Sequence, residues 1–119
     1  MKKKIAICSY DKINLVTEDY ILFCKSDNCY TTVYLNNGSE LVMCKSLSKL
    51  SKELDSNCFI RVSQSYLVNL QYIKTIHKKE KYLELNNEFK IPFTISIKRF
   101  LEELNNIVLS DFLLADFRI

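Results

Sequence analysis

One glycine, one proline and one histidine in 119 residues set the first limits. The dinucleotide fingerprint and the P-loop each need at least two glycines to bring backbone against phosphate, so Gly38 alone excludes both. The nucleophile elbow of α/β-hydrolases fails on the same count. A single histidine, His77, and the lack of any CxxC or CxxH pair argue against zinc. No stretch approaches the ~20 apolar residues that span a membrane. The apolar run in MKKKIAICSYD stops too early for a secretory segment. No membrane association is therefore expected, and the five cysteines, an odd number, suit free thiols in a reducing cytoplasm. Cys24 and Cys29 are expected on strands as small buried hydrophobes. No cofactor, metal or small-molecule substrate is implied. An enzyme is not expected either, because one histidine, no glycine-rich loop and no paired cysteines leave few ways to assemble a site, and primary sequence does not show that carboxylates such as Glu18 and Asp19 converge.

What is present is the make-up of one globular domain, with 48% hydrophobic and 26% charged residues. The net charge of +3 divides unevenly: residues 101–119 carry −3, leaving +6 on residues 1–100. A basic body with an acidic tail is compatible with nucleic acid or an acidic partner. Short runs rich in Val, Ile, Tyr, Phe and Thr, broken by Asn, Asp and Ser, predict many short strands. These are Ile5–Ser9, Lys12–Val16, Tyr20–Lys25, Cys29–Leu35 and Leu41–Cys44, then a strand-rich stretch from Cys58 to Asn69. Tyr72–Lys78, Lys81–Asn86 and Glu88–Phe93 follow. Asn37-Gly38 predicts a two-residue type I′ hairpin turn with positive φ at both positions. Lys78–Lys81 (KKEK) reads as a second turn, and Pro92, which cannot donate to a ladder, marks an edge or a strand end.

Two short helices are expected. Ser46 caps one that buries Leu47, Leu50 and Leu54. Thr94 or Ser96 caps the other, in which Ile97, Phe100, Leu101 and Leu104 form a stripe directed at the core. The apolar tail, residues 107–119, is interrupted by Asp111 and Asp116 and reads as a separate segment after a domain of residues 1–106. It could pack on the domain or on a second copy.

Phe59 to Ile73 reads FIRVSQSYLVNLQYI. This resembles the signature of LytTR-type DNA-binding domains, F-x-R-(I/V)-H-R-S-(Y/F)-(L/I)-V-N-x-x-x-I. Phe59, Arg61, Val62, Ser65, Tyr66, Leu67, Val68, Asn69 and Ile73 match. Thr17–Tyr20 is like the family's S-D-I-x-Y, Ser46–Leu50 has its S-L-x-x-L form, and Ile91–Thr94 looks like its I-P-V-S. The resemblance covers about residues 10–105. It implies a mainly β, elongated domain of about ten short strands in three sheets with one or two short helices. It further implies a bacterial transcription regulator that binds double-stranded DNA through loops, the output domain of a two-component system, here without a receiver domain before it.

By that resemblance, Asn28 and Tyr30, Ser63, Gln64 and Ser65, and Ser96, Lys98 and Arg99 enter grooves, while Lys45, Lys78 and Lys79 neutralise phosphates. Ser63 and Gln64 stand where the family has its H-R pair. Gln64 can pair bidentately with adenine and Ser63 can reach a phosphate or a base, but one or two cations are lost. Other readings stay open at several positions. Arg61 contacts a phosphate or pairs with an acidic neighbour, and Asn69 and Ser65 satisfy turn backbone. Lys78–Lys81 is a solvated turn or a phosphate contact, and His77 lies on the surface. For the whole chain, the alternative is a protein-interaction or decoy module that pairs with another LytTR-like regulator and binds DNA weakly. A homodimer on paired DNA sites is a further expectation.

Overall fold

The computed structural model describes residues 3–86 and 88–104. Ten strands form three antiparallel sheets. They are β1 (Lys4–Cys8), β2 (Ile13–Thr17), β3 (Ile21–Asp27), β4 (Tyr30–Leu35), β5 (Glu40–Met43), β6 (Phe59–Arg61), β7 (Tyr66–Asn69), β8 (Ile73–His77), β9 (Tyr82–Leu85) and β10 (Lys90–Pro92). Helix α1 (Leu47–Glu53) follows β5, and α2 (Ile97–Leu104) follows β10. The central sheet has the order β5-β4-β3-β7-β6; β10-β9-β8 and β1-β2 form the other two. The molecule is elongated, with extents of 52 × 35 × 24 Å. Among the described residues no helix is long and apolar enough to cross a membrane.

Both faces of the central sheet are covered, which explains why β3 reads as the unbroken apolar run Ile21-Leu22-Phe23-Cys24. On one face Ile21, Cys24, Val33, Met43 and Leu67 pack with Ile5 and Ile7 of β1 and with Leu47, Leu50 and Leu54. On the other, Phe23, Ile60 and Val68 pack with Leu83, Leu85, Ile91, Phe93 and Phe100. A register shift between Ile21 and Phe23 places Leu22 in this second core beside Phe23, as a bulge that sets two residues against one requires. Burying one such side chain stabilises the fold by roughly 1.5–3 kcal/mol, so the two cores clamp the sheet between hairpin and helix on one side and sheet and helix on the other.

The expected caps form. Ser46 Oγ accepts the Lys49 N–H at 3.2 Å, and Ser96, rather than Thr94, caps α2 by accepting the Arg99 N–H at 3.1 Å. Pro92 ends the edge strand β10, where its missing donor costs nothing. Four expectations are corrected. The turn at Asn37-Gly38 is not type I′: Gly38 has φ +92°, but Asn37 is not in the positive-φ region. Instead Gly38 N–H donates to Leu35 C=O, and Leu35 pairs with Ser39 across a three-residue loop whose last position needs glycine. The two-residue hairpin lies between Asp27 and Tyr30, with Asn28 at φ +60°, a region asparagine tolerates. That tip also takes Cys29 out of the core: it is exposed, whereas Cys24 is buried, and burial pushes its thiol pKa up to about 12.

The other two corrections concern faces. Phe100 is fully buried and Ile97 and Leu104 pack beside it, but Leu101 is half exposed and does not face the core. His77 is not a bare surface residue. It is half-buried, stacked on the Tyr82 ring at 4.1 Å, and its Nε2 meets Glu84 Oε1 at 3.1 Å. That bond holds the Glu84 pKa below the ordinary carboxylate range. The tail from 107 to 119 lies outside the described residues.

Candidate nucleic-acid interface

Antiparallel register decides which loops meet. Lys25 pairs with Tyr66, Arg61 with Leu67, and Thr31 with Met43. The β3–β4 tip, the β6–β7 loop and the exit of β5 therefore all lie at one end of the central sheet. Asn28, Tyr30, Gln64 and Ser65 are exposed there, and Ser63 is partly exposed.

Hydrogen bonds then tie further segments to that end. Ser26 N–H donates to Ser65 C=O at 2.8 Å, joining the two hairpins beyond their ladder. The Thr31 hydroxyl, fully buried, donates to Lys45 C=O at 2.6 Å and fixes the start of the α1 segment. The Val62 carbonyl accepts from Thr94 N–H at 2.9 Å and Ile95 N–H at 3.3 Å, which brings the entrance of α2 against the β6–β7 loop. Ser63, Gln64, Ser65 and Tyr66 line a shallow depression together with Pro92 and Thr94. On the far side of that segment, Lys81 Nζ donates to Ile95 C=O at 3.2 Å and lies 5.0 Å from the centre of the Phe93 ring. The 78–81 turn, closed by Lys81 N–H to His77 C=O and with Lys81 at φ +59°, is thereby drawn to the same region.

All twelve residues singled out in the sequence thus belong to segments that converge, but their charges are in different states. Lys98 and Arg99, both exposed on the first turn of α2, make no side-chain hydrogen bond or ion pair among the described residues; neither do Lys78 and Lys79. The Lys45 ammonium is paired with Glu53. Arg61 is committed elsewhere: its Nε donates to Ser63 C=O at 2.9 Å, Nη2 to Gln64 C=O at 2.6 Å, and Nη1 lies 3.4 Å from Ser48 Oγ. Among the described residues no carboxylate lies within 4 Å of it. Arg61 and Arg99 line one depression, so helix α2 runs beside β6.

Sequence reading missed the residues that bind these segments together. Ser26, Thr31 and Ser48 act through single bonds to residues distant in the chain, and no spacing rule signals such bonds. Lys25, opposite Tyr66 and 5.9 Å from its ring centre, adds an exposed cation to this end.

The comparisons agree with this architecture. The sequence pattern of the LytTr DNA-binding domain matches residues 11–108. Among solved structures, the LytTr DNA-binding domain of a Bacillus cereus protein described as a methyl-accepting/DNA response regulator is similar. It has a TM-score of 0.70 and 18% identity, over 91% of this chain and 98% of that one. No curated protein is significantly similar in sequence. With the family pattern spanning most of its length, and three sheets and two short helices to match, the chain belongs to the LytTR family of DNA-binding domains.

Proposed function

We propose that this domain binds double-stranded DNA sequence-specifically and serves as the output domain of a transcription regulator. The observation that carries the reading is the convergence of the β3–β4 tip, the β6–β7 loop and the first turn of α2 at one end of the sheet, in a member of a DNA-binding family. Asn28 and Tyr30, Ser63–Ser65, and Ser96, Lys98 and Arg99 would face the grooves. Gln64 is the candidate base reader, since its amide can satisfy adenine N6 and N7 together. Lys98, Arg99, Lys78 and Lys79, unpaired among the described residues, supply charge for phosphates, and Lys45 joins them once phosphate displaces Glu53. Selection from a randomised duplex pool, followed by anisotropy titrations from about 50 to 200 mM salt, tests the proposal. Enrichment of a defined motif with salt-dependent affinity is expected; no enrichment and no binding at low salt would refute it.

A second reading rests on the outer face of the β1–β2 hairpin. Ile13 and Leu15 are 65% and 70% exposed on the same side, with Tyr10 wholly exposed at the tip. Such a surface suits pairing with another domain of this kind, including a homodimer on paired DNA sites. Mass by light scattering, with and without I13K/L15K, separates the cases: an unchanged monomer in both argues against pairing.

A further inference from the structure

We infer that Arg61 is a positioning residue for the β6–β7 reading loop and not a phosphate contact; this rests on the DNA-binding reading above. A guanidinium recognises a phosphate or carboxylate best through two parallel N–H groups on one edge. In Arg61 the Nε–Nη2 edge is already filled, by the carbonyls of Ser63 at 2.9 Å and Gln64 at 2.6 Å. Two successive carbonyls thus take the place of the two oxygens of an anion. The third nitrogen reaches Ser48 Oγ on α1, so the side chain braces the loop against the helix that follows β5.

The rest of the loop shows what this brace controls. Its backbone is held on both flanks: Val62 N–H to Tyr66 C=O at 3.1 Å, Ser26 N–H to Ser65 C=O at 2.8 Å, and Ser65 N–H to Ser63 Oγ at 3.2 Å. Among the described residues the carbonyls of Ser63 and Gln64 at the tip accept from no strand neighbour, and Arg61 takes both. With them fixed, the peptide planes on either side of Gln64 are fixed, and so is the direction in which its exposed amide leaves the backbone. Bidentate base recognition tolerates little angular error. Arginine suits the site because its planar fork holds two parallel N–H groups in fixed geometry, whereas a lysine ammonium is a rotatable point donor on a flexible stem and fixes neither carbonyl's direction.

The two roles make opposite predictions for the conservative variant. A phosphate contact needs the charge, so R61K would retain binding, whereas R61A would weaken all sequences alike and lower the salt slope by about 0.9. A positioning role needs the fork. R61K and R61A should then behave alike, each losing roughly 5- to 30-fold in preference for the selected motif over a scrambled duplex, with the wild-type salt slope retained. In the absence of DNA, amide hydrogen exchange at Ser65 and Tyr66 should quicken in both variants while exchange at Leu83 and Leu85 in β9 stays unchanged, showing that the fold is intact. Wild-type affinity and slope in R61K with a slope loss in R61A, or unaltered exchange in the loop, would overturn the inference. A wild-type domain that selects no duplex would count against DNA binding itself, and the exchange measurement would still decide what Arg61 does.

Discussion

The two ends of the central sheet use the same kinds of side chain in opposite ways. At the end where β3 begins and β7 finishes, polar side chains are consumed by hydrogen bonds within the protein. Asn69, 2% exposed, donates from Nδ2 to Ile21 C=O at 2.9 Å and accepts Gln71 N–H at 3.2 Å. The Gln71 amide and the Tyr72 hydroxyl both donate to Asp19 C=O, and Asn36 donates to the Tyr72 oxygen at 3.1 Å. These bonds lock the 3-10 turns Glu18–Tyr20 and Leu70–Tyr72 to the hairpin tip at Asn36. At the other end the backbone is equally well tied, yet Asn28, Gln64 and Ser65 extend into solvent. A buried amide bonded on both sides serves stability; an amide held by its backbone alone is available to a ligand.

That contrast orders the expected effects of mutation. The largest is on stability at the locked end. Asn69→Ala leaves Ile21 C=O and Gln71 N–H without their partner in a buried site, at a cost of about 2–4 kcal/mol in urea unfolding. Next comes Gln64→Ala at the open end. Unfolding should shift by less than about 0.5 kcal/mol, while discrimination at one base position falls by about 1–3 kcal/mol in competition anisotropy. If the two variants were equally destabilised, the distinction between the ends would fail.

Smaller effects sharpen the open end. Lys98→Ala and Arg99→Ala should each weaken all duplexes evenly and lower the salt slope by about 0.9, with the selected motif unchanged. Glu53→Gln frees the Lys45 ammonium from its ion pair and should raise affinity by roughly two- to fivefold, in keeping with the ~0–1 kcal/mol worth of an exposed pair. Cys24 adds a pH effect. Its folded pKa, about 12, lies above the ordinary 9.0 of a thiol. The native state therefore favours the protonated form; the stability this brings is complete below pH 9 and declines as pH rises towards 12.

Much of the fold was legible because burial leaves periodic traces. The ILFC run of β3, the Leu47-Leu50-Leu54 spacing, the serine caps and Pro92 at an edge each follow from one local rule that tertiary packing reinforced. The Asn37-Gly38 turn type and the side of α2 that carries Leu101 were not legible, since each depends on where a neighbouring element sits. The candidate site was legible as segments but not as an arrangement. In the sequence Arg61 is an isolated cation, which suggests an anion, an acid or a phosphate, as its partner. Its partners are instead the carbonyls two and three residues ahead, which only the shape of the loop brings within reach.

The cysteines provide the most direct test of which end meets DNA. Cys29 and Cys44 are exposed on segments of the open end, whereas Cys58 precedes β6 at the locked end, where burial and Asp55 raise its thiol pKa. Alkylation resolved by mass spectrometry should show Cys29 and Cys44 protected when the selected duplex is saturating, with the slower rate at Cys58 unchanged. Protection of Cys58 with Cys29 and Cys44 left reactive would place the DNA at the opposite end and contradict the account.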